Sequence, residues 1–206
     1  DLPPAAVWTV PVAVNLGGTL YRTYPTPSRG PDTTASYRVY LPPTYETEKT
    51  RRFPVIYFTH GMRVDSKRPI SAGYAARIDR AIRSGVMPPV IVVVIQGLNR
   101  AWWVDSKDGK TPMESVVIED LIPHIDATYR TIASREGRAI EGHSMGGYGA
   151  LRLGFKYPDL FAAVTGNSPA LIDVEGFSSG NNLEMFRETF GGDRDYYEAS
   201  APWSLA

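Results

Sequence analysis

The segment EGHSMGGYGA, residues 141–150, decides how the rest of the chain is interpreted. In it, Gly142 and Gly146 frame Ser144 in the spacing G-x-S-x-G, a pattern that gains meaning when a strand precedes it and a helix follows. Here the strand-like run RAIEGH (138–143) comes first, and apolar residues at helical spacing come afterwards. The segment therefore predicts a sharp strand-to-helix turn with Ser144 at its tip.

Apolar, β-branched runs elsewhere in the chain indicate further strands. FPVIYFTH (53–60) and PVIVVVIQ (89–96) lack the alternation of a strand with one wet face, so we expect helices to cover both of their faces. The run SYRVYLPP (36–43) ends in two prolines and is predicted to end at the surface. A short strand, FAAVTGNS (161–168), is predicted after the serine.

Helical patterns lie between these runs. They are SAGYAARIDRAIRSG (71–85), TPMESVVIEDLIPHIDATY (111–129) and a pattern that leads from Ser144 to about Tyr157. The second opens with a capping box, and we expect Pro123 to kink it because proline lacks a backbone N–H. Strands that alternate with helices predict an α/β fold with a mostly parallel sheet.

The composition of the chain limits its domains and partners. Its 206 residues carry 22 basic and 22 acidic side chains, so we expect one domain, 1–206, with 1–36 as an extended N-terminal segment and no nucleic-acid partner. The longest apolar run, Val90 to Ile95, is too short to cross a membrane. No cysteine is present and the three histidines lack metal-ligand spacing, so no metal and no cofactor are expected. Nothing in the sequence indicates an oligomeric state.

Ser144 is interpreted as a nucleophile. The predicted turn would place its hydroxyl at the carboxyl edge of the sheet, where open α/β sheets bind their ligands. The backbone N–H of Met145, at the start of a helix, and that of Met62, after His60-Gly61, would stabilise an oxyanion. The alternative for Ser144 is an N-cap serine at a glycine-rich turn, and the alternative for His60-Gly61 is a tight turn without further role.

Four segments together resemble a known family. They are YRVYLPPTYE (37–46), FPVIYFTHG (53–61), EDLIPHIDATYR (119–130) and GRAIEGHSMGGYGALRLGFKYPDLFAAV (137–164). They are similar to the esterase D-like esterases of the α/β-hydrolase fold, which include feruloyl and acetylxylan esterases, S-formylglutathione hydrolases and mycolyltransferases. The resemblance implies a three-layer α/β-hydrolase sandwich. It also implies ester hydrolysis or acyl transfer through Ser144, with Met62 and Met145 at the oxyanion positions.

The segment NRAWWVDS (99–106) matches an aromatic stretch that borders the active site in that family. The resemblance therefore implies that Trp102, Trp103 and Asp105 line the acyl pocket. Adjacent tryptophans also occur as structural residues, and that alternative stays open.

The three histidines do not supply a general base for Ser144. His143 should face away from it, because neighbouring strand residues point to opposite faces; His124 lies in the middle of a flanking helix, and His60 is expected to hold the oxyanion loop. In α/β-hydrolases the acid and then the histidine follow the serine, yet no histidine follows Ser144. We therefore expect the sequence to lack the C-terminal strands, acid and histidine of the fold, and to be nearly inactive as it stands.

The sequence thus predicts a serine carboxylesterase that acts through an acyl-enzyme on acetyl or hydroxycinnamoyl (feruloyl-like) esters of carbohydrates. Two alternatives remain: an enzyme completed by another chain, and a non-catalytic hydrolase-fold module that binds a carbohydrate or a partner. The chain begins at Asp1 rather than Met and contains many aromatic residues, so a secreted or periplasmic location is expected, with the cytoplasm as the alternative.

Overall fold

The computed structural model describes residues 7–10, 18–62 and 69–206, with the backbone alone for 69–72. Its centre is a six-stranded sheet in the order β1-β2-β4-β3-β5-β6. β1 pairs antiparallel with β2, and β2 pairs antiparallel with β4, while β3 pairs in parallel with both β4 and β5, and β5 with β6. The strands span Thr19–Pro25 (β1), Thr34–Tyr40 (β2), Val55–Thr59 (β3), Ile91–Ile95 (β4), Arg138–His143 (β5) and Ala163–Asn167 (β6). The predicted α/β fold with a mostly parallel sheet is confirmed.

The central strands owe their position to their β-branched residues. All five residues of β4, IVVVI, are buried, as the absence of alternation predicted. The observed strands are shorter than the predicted runs because Pro54 and Pro89, near the start of the two runs, cannot donate to a ladder.

The described helices alternate with the strands as far as β6, and four further α-helices follow β6. Within residues 7–10, 18–62 and 69–206, no helix has both the length and the apolar character needed to cross a bilayer. The α-helices are Pro69–Arg83 (α1), Met113–Ser115 (α2), Ile122–Thr128 (α3), Met145–Lys156 (α4), Val174–Phe177 (α5), Leu183–Phe190 (α6), Arg194–Ser200 (α7) and Pro202–Leu205 (α8); a π-helix spans Val116–Leu121, and 3₁₀ turns span Pro27–Arg29, Arg135–Gly137 and Gly180–Asn182.

The helix predicted over 111–129 forms with two differences. The predicted capping box at its start is wrong: Pro112 occupies the N-cap, no side chain of the box caps the helix, and Asp105 accepts instead from the Ser115 N–H at 3.0 Å. The effect of Pro123 is a change of winding, because the preceding turns are π-helical and the Ile122 N–H donates to the carbonyl of Val117. Because Pro123 has no backbone N–H, the hydrogen bonds just before it shift from the i→i−4 pattern of an α-helix to the i→i−5 pattern of a π-helix.

Buried side chains separate onto the two faces of the sheet. α1 covers one face, where its Tyr74 stacks on Phe58 of β3 at 4.3 Å between ring centroids. α3 and α4 cover the other face, where Leu153 of α4 joins Tyr57 and Ile140 in the larger core. The sheet is therefore the middle of three layers, as an α/β sandwich requires.

The order of the strands locates the crevice where a ligand can bind. β3 lies between β4 and β5, so the chain crosses over in one direction from β3 and in the other direction to reach β5. Ligands of open α/β sheets bind at the carboxyl ends of the strands at such a switch point. The loops after β3 and β5 meet there, and these loops contain Gly61 and Ser144.

The two edge regions of the sheet relate to two predictions, the extended N-terminal segment and the additional C-terminal strands. Of the extended segment predicted over 1–36, residues 1–6 and 11–17 lie outside the described ones; the rest contains β1 and a short stretch whose Trp8 carbonyl accepts from the Ser36 N–H at 2.9 Å. At the opposite edge of the described sheet, β6 exposes Ala163, Thr165 and Asn167. Additional C-terminal strands remain a prediction.

Candidate active site

Ser144 lies at a sharp turn between β5 and α4. Its φ of 57° and ψ of −121° are values that residues with a side chain seldom adopt, and such strain persists where the surroundings enforce it. The Ser144 N–H donates to the Asn167 carbonyl at 3.1 Å, and the Ser144 carbonyl accepts from the N–H groups of Tyr148 and Ala170, each at 3.0 Å. These bonds hold the half-buried serine at the carboxyl end of β5, where the sequence predicted it.

The two framing glycines are required by close packing. A Cβ on Gly142 would lie within 3.0 Å of the Gly146 carbonyl, and a Cβ on Gly146 would lie equally close to the Thr59 carbonyl at the end of β3. The Thr59 hydroxyl also donates to the Gly146 carbonyl at 2.7 Å. The G-x-S-x-G spacing is therefore what allows the turn at Ser144 to press against β3.

The loop after β3 runs alongside the serine. A Cβ built on Gly61 would lie 3.3 Å from Ser144 Cβ and 3.8 Å from Ser144 Oγ. Met62 follows in that loop, and Met145 opens α4, whose first N–H groups have no partner within the helix. The structure thus places Gly61, the residue before Met62, beside Ser144, and Met145 directly after it; the donation of the two methionine N–H groups to an oxyanion stays a prediction.

His60 is buried, with 2% of its surface exposed, and both of its ring nitrogens are engaged. Nε2 accepts from the Gly97 N–H at 2.9 Å, and Nδ1 lies 2.8 Å from the Gly61 carbonyl. Nε2 also lies 3.1 Å from the Gly97 carbonyl. Because the Gly61 carbonyl can only accept, we assign a proton to Nδ1, and the neutral ring then accepts from the Gly97 N–H through Nε2. His60 therefore holds the loop after β3, as expected, and its basic nitrogen already has a partner.

The other two histidines do not contact the serine hydroxyl. His143 lies on the α1 side of the sheet, where it is exposed beside a cleft of about 400 Å³ that Phe58, Tyr74 and Glu141 also line, and its Nδ1 is 3.1 Å from the Asn167 carbonyl. His124 on α3 lies 3.2 Å from the Tyr37 hydroxyl, and burial lowers the pKa of its imidazole. None of the three histidines hydrogen-bonds to Ser144 Oγ.

Trp102 and Trp103 pack in the core next to the first turns of α4. Each is 1% exposed, and each has a positive φ, 50° and 58°. Asp105 accepts from the Ser115 N–H and, at 2.6 Å, from the Ser115 hydroxyl. These contacts are structural, and the assignment of the three residues to an acyl pocket stays a prediction.

A buried ion pair that the sequence did not indicate supports α4. Glu114 Oε2 lies 2.5 Å from Arg152 Nη2, and its other carboxylate oxygen contacts Lys156 Nζ at 2.6 Å and the Tyr157 hydroxyl at 2.5 Å. Burial would raise the pKa of Glu114, but Arg152 and the other two partners outweigh it and hold the pKa below its usual value. The i, i+4 spacing of Arg152 and Lys156 was the available sequence signal.

A second feature missed from the sequence is an aromatic cluster formed by the helices after β6. Phe177 lies at its centre, with ring-centroid distances of 4.5 Å to Trp102, 4.9 Å to Tyr197 and 5.6 Å to Phe190. Edge-to-face and stacked pairs at such distances add to the free energy gained by burial. The cluster fixes α5, α6 and α7 on the loop that contains Trp102.

The described residues hold no metal-binding cluster: within 7–10, 18–62 and 69–206, no three His, Asp or Glu side chains converge in a way that could bind an ion. What the arrangement offers is a strained serine, the N-terminus of a helix and a glycine loop. These are the parts that acyl-transfer chemistry uses.

Comparisons with known proteins agree with this arrangement. A family model described as "Putative esterase" matches residues 28–204. Esterase MT1326 of Mycobacterium tuberculosis is 34% identical over 142 residues, which cover 63% of this chain and 28% of that protein. The endo-1,4-beta-xylanase/feruloyl esterase of Xylanibacter ruminicola is 32% identical over 154 residues, which cover 72% of this chain and 21% of that protein. The chain therefore spans less than a third of the length of these curated relatives.

A solved structure is similar as well. A ferulic acid esterase superimposes with a TM-score of 0.68 at 26% identity, and the match covers 86% of this chain and 70% of that one. The similarity supports the mixed α/β hydrolase-type fold described above.

Proposed function

This chain belongs to the "Putative esterase" family, as its sequence segments predicted, and from that premise we propose that it is a serine carboxylesterase that forms an acyl-enzyme on Ser144. The observation that carries the proposal is the strained turn that holds Ser144 against the Gly61 loop, with 3.8 Å between Ser144 Oγ and the position of a Cβ on Gly61. Such a turn stores backbone strain of about 1–3 kcal/mol, which a purely structural serine would not require.

In the proposed mechanism, Ser144 Oγ attacks the ester carbonyl carbon and loses its proton to a general base. The carbonyl oxygen becomes an oxyanion, and the N–H groups of Met145 and Met62 stabilise it. The C–O bond to the alcohol then breaks, and the base returns its proton to the leaving alcohol. Water attacks the acyl-enzyme by the same steps in reverse and releases the acid.

The general base in this proposal is a histidine that residues 1–206 do not supply. His60 uses its basic nitrogen on Gly97, His143 lies on the α1 side of the sheet, and His124 contacts Tyr37. Loss of the triad histidine costs about a millionfold in turnover, so residues 1–206 alone are expected to be nearly inactive. A further segment of a longer polypeptide, or another chain, would provide the base and its acid.

The substrates we propose are acetyl or hydroxycinnamoyl esters of carbohydrates. The support is the feruloyl esterase relative and the ferulic acid esterase structure, together with the family resemblance. Because polymeric carbohydrate esters do not enter cells, a secreted or periplasmic location goes with this proposal.

The test compares initial rates on p-nitrophenyl acetate and methyl ferulate for the protein as its gene encodes it, for residues 1–206, and for Ser144→Ala. We expect Ser144→Ala to lower kcat by at least about 10⁴-fold and to abolish labelling by a fluorophosphonate probe. Ser204→Ala, at an exposed serine, is the matched control and should keep its rate.

Three results would distinguish the proposed serine esterase from the two alternatives, an enzyme completed by another chain and a non-catalytic binding module. Turnover that survives Ser144→Ala would overturn the proposed nucleophile. A specific activity that rises with protein concentration would indicate an enzyme completed by another chain. A protein as encoded that lacks turnover but retains carbohydrate binding would be a non-catalytic module.

A further inference from the structure

We propose that Trp103 is a positioning residue that sets the loop after β3 against the turn at Ser144. This inference rests on the proposed function and goes beyond it, because it assigns to a buried side chain the task of fixing the oxyanion loop.

The indole of Trp103 fills a space that two glycines leave open. A Cβ on Gly97 would lie 2.5 Å from Cη2 of the ring, and a Cβ on Gly149 would lie within 3.0 Å of Cγ and Cδ1. Gly97 follows β4 and Gly149 is in the second turn of α4. The ring therefore packs between the residues that follow the carboxyl end of β4 and α4, the helix that begins after Ser144.

The same ring is bonded to the loop it would position. The Trp103 Nε1–H donates to the His60 carbonyl at 3.3 Å, and the imidazole of His60 meets the indole edge-on at 5.3 Å between centroids. His60 in turn fixes the carbonyl of Gly61, which lies beside Ser144. A displacement of the indole is thus passed to His60, Gly61 and Met62.

The backbone of Trp103 is strained, and its neighbours hold it in that conformation. Trp102 and Trp103 are consecutive residues with positive φ, which is unfavourable for bulky side chains. Arg152 Nη1 donates to the Trp103 carbonyl at 3.3 Å, so the buried pair of Glu114 with Arg152 supports the strained residue directly. Because the surrounding contacts maintain this strained backbone, we infer that the exact position of the Trp103 side chain matters.

Trp102 provides the comparison within the chain. It has the same exposure and a similar φ, but its Nε1–H is buried without a hydrogen-bond partner among the described residues. Its ring packs on Phe177 and Tyr148 instead. Trp102 therefore anchors the aromatic cluster, while Trp103 contacts the loop after β3.

The test compares Trp103→Phe with Trp102→Phe in the protein as encoded, using p-nitrophenyl acetate. Both variants lose an indole from the same strained pair, so both report the loss of packing. Because small displacements of catalytic groups lower turnover strongly, we expect Trp103→Phe to lower kcat by about tenfold to a hundredfold with KM changed less than about threefold. The kcat of Trp102→Phe should stay several-fold above that of Trp103→Phe.

Equal kcat values for the two variants, or a change confined to KM in Trp103→Phe, would overturn the inference. If Trp103→Phe does not fold, Gly149→Ala replaces it, because the three atoms nearest to the added methyl all belong to Trp103, and the displaced ring should give the same loss of kcat.

A readout that needs no activity separates this inference from the proposed function. Crystal structures of the Trp103→Phe and Trp102→Phe variants should show His60 and Gly61 displaced relative to Ser144 in the first variant and in place in the second. An undisplaced loop in Trp103→Phe would overturn the positioning role even if the enzyme is active. A displaced loop in a protein without esterase activity would retain the positioning role and reject the proposed function.

Discussion

Glu114 and Arg152 form an ion pair in the core, with 2.5 Å between Oε2 and Nη2 and with side chains that are 5% and 3% exposed. The pair joins α2 to α4, and Arg152 also donates to the carbonyl of Trp103. A buried pair of this kind adds little net stability compared with apolar residues, but the loss of one partner leaves an uncompensated charge. The main role of the pair is therefore to hold α2, α4 and the backbone of Trp103 together.

Arg152→Met is expected to lower the free energy of unfolding by about 3 kcal/mol, because Glu114 stays buried and loses one of its cations. Urea denaturation at neutral pH measures the change. Arg100→Met is the control, since Arg100 pairs with the largely exposed Glu184 and Glu188 and should cost less than about 1 kcal/mol. Equal losses for both variants would contradict the structural account.

The pH dependence of the same pair has a definite sign. The folded-state pKa of Glu114 is lowered, so its contribution to stability is complete above the unfolded-state pKa of a glutamate and is lost as the pH falls through the lower folded-state pKa. The difference in unfolding free energy between the wild type and Arg152→Met should therefore shrink in acid. Denaturation curves between pH 7 and the acid limit of folding would measure it, and a difference that is constant or grows would be inconsistent with a charged Glu114.

The sequence predicted the fold because its main signals are local. Apolar β-branched runs identify β3 and β4, and the glycines around Ser144 identify the turn that places the serine. These signals depend on neighbours within a few residues, so they can be read without knowledge of the tertiary structure.

The features that the sequence did not reveal depend on distant partners. Thr111 and Glu114 have the spacing of the predicted capping box, but the Glu114 carboxylate contacts Arg152, and the Ser115 N–H donates to Asp105, which lies outside the helix. The positive φ values of Trp102 and Trp103 are also imposed by tertiary contacts, since tryptophan does not favour them. Local propensity cannot predict positions at which packing overrides it.

Gly146→Ala is expected to disrupt the turn at Ser144. The added Cβ would lie within 3.0 Å of the backbone carbonyls of Thr59 and His60, which cannot move as a side chain could, so we expect a loss of about 1–3 kcal/mol together with loss of turnover. Gly73→Ala is the matched control, because Gly73 lies inside α1 with only the end of the Arg77 side chain near. It should stabilise the protein by about 0.5–1 kcal/mol in thermal or urea unfolding, and a loss as large as that of Gly146→Ala would refute the steric argument.

Phe177→Leu is expected to weaken the attachment of α5, α6 and α7. The ring contacts Trp102, Tyr197 and Phe190, so its replacement leaves a void and removes three aromatic pairs, at a cost of about 1–3 kcal/mol. Phe155→Leu, at a phenylalanine that is 38% exposed, should change stability by less than about 0.5 kcal/mol. The measurement is thermal unfolding of both variants, and a cluster that tolerates Phe177→Leu as well as Phe155→Leu would not be holding these helices.

The tautomer of His60 is the most direct test of how the site is built. Nε2 accepts from the Gly97 N–H and Nδ1 faces the Gly61 carbonyl, so the proton belongs on Nδ1. Nitrogen-15 NMR of the imidazoles should show His60 with a protonated Nδ1 and an unprotonated Nε2 near neutral pH. The exposed His143 is the internal reference, since a ring in contact with water exchanges its protons with solvent faster. A proton on Nε2 instead of Nδ1 would be donated to the Gly97 carbonyl at 3.1 Å and would leave the Gly61 carbonyl without its donor, which would contradict this account of the loop after β3.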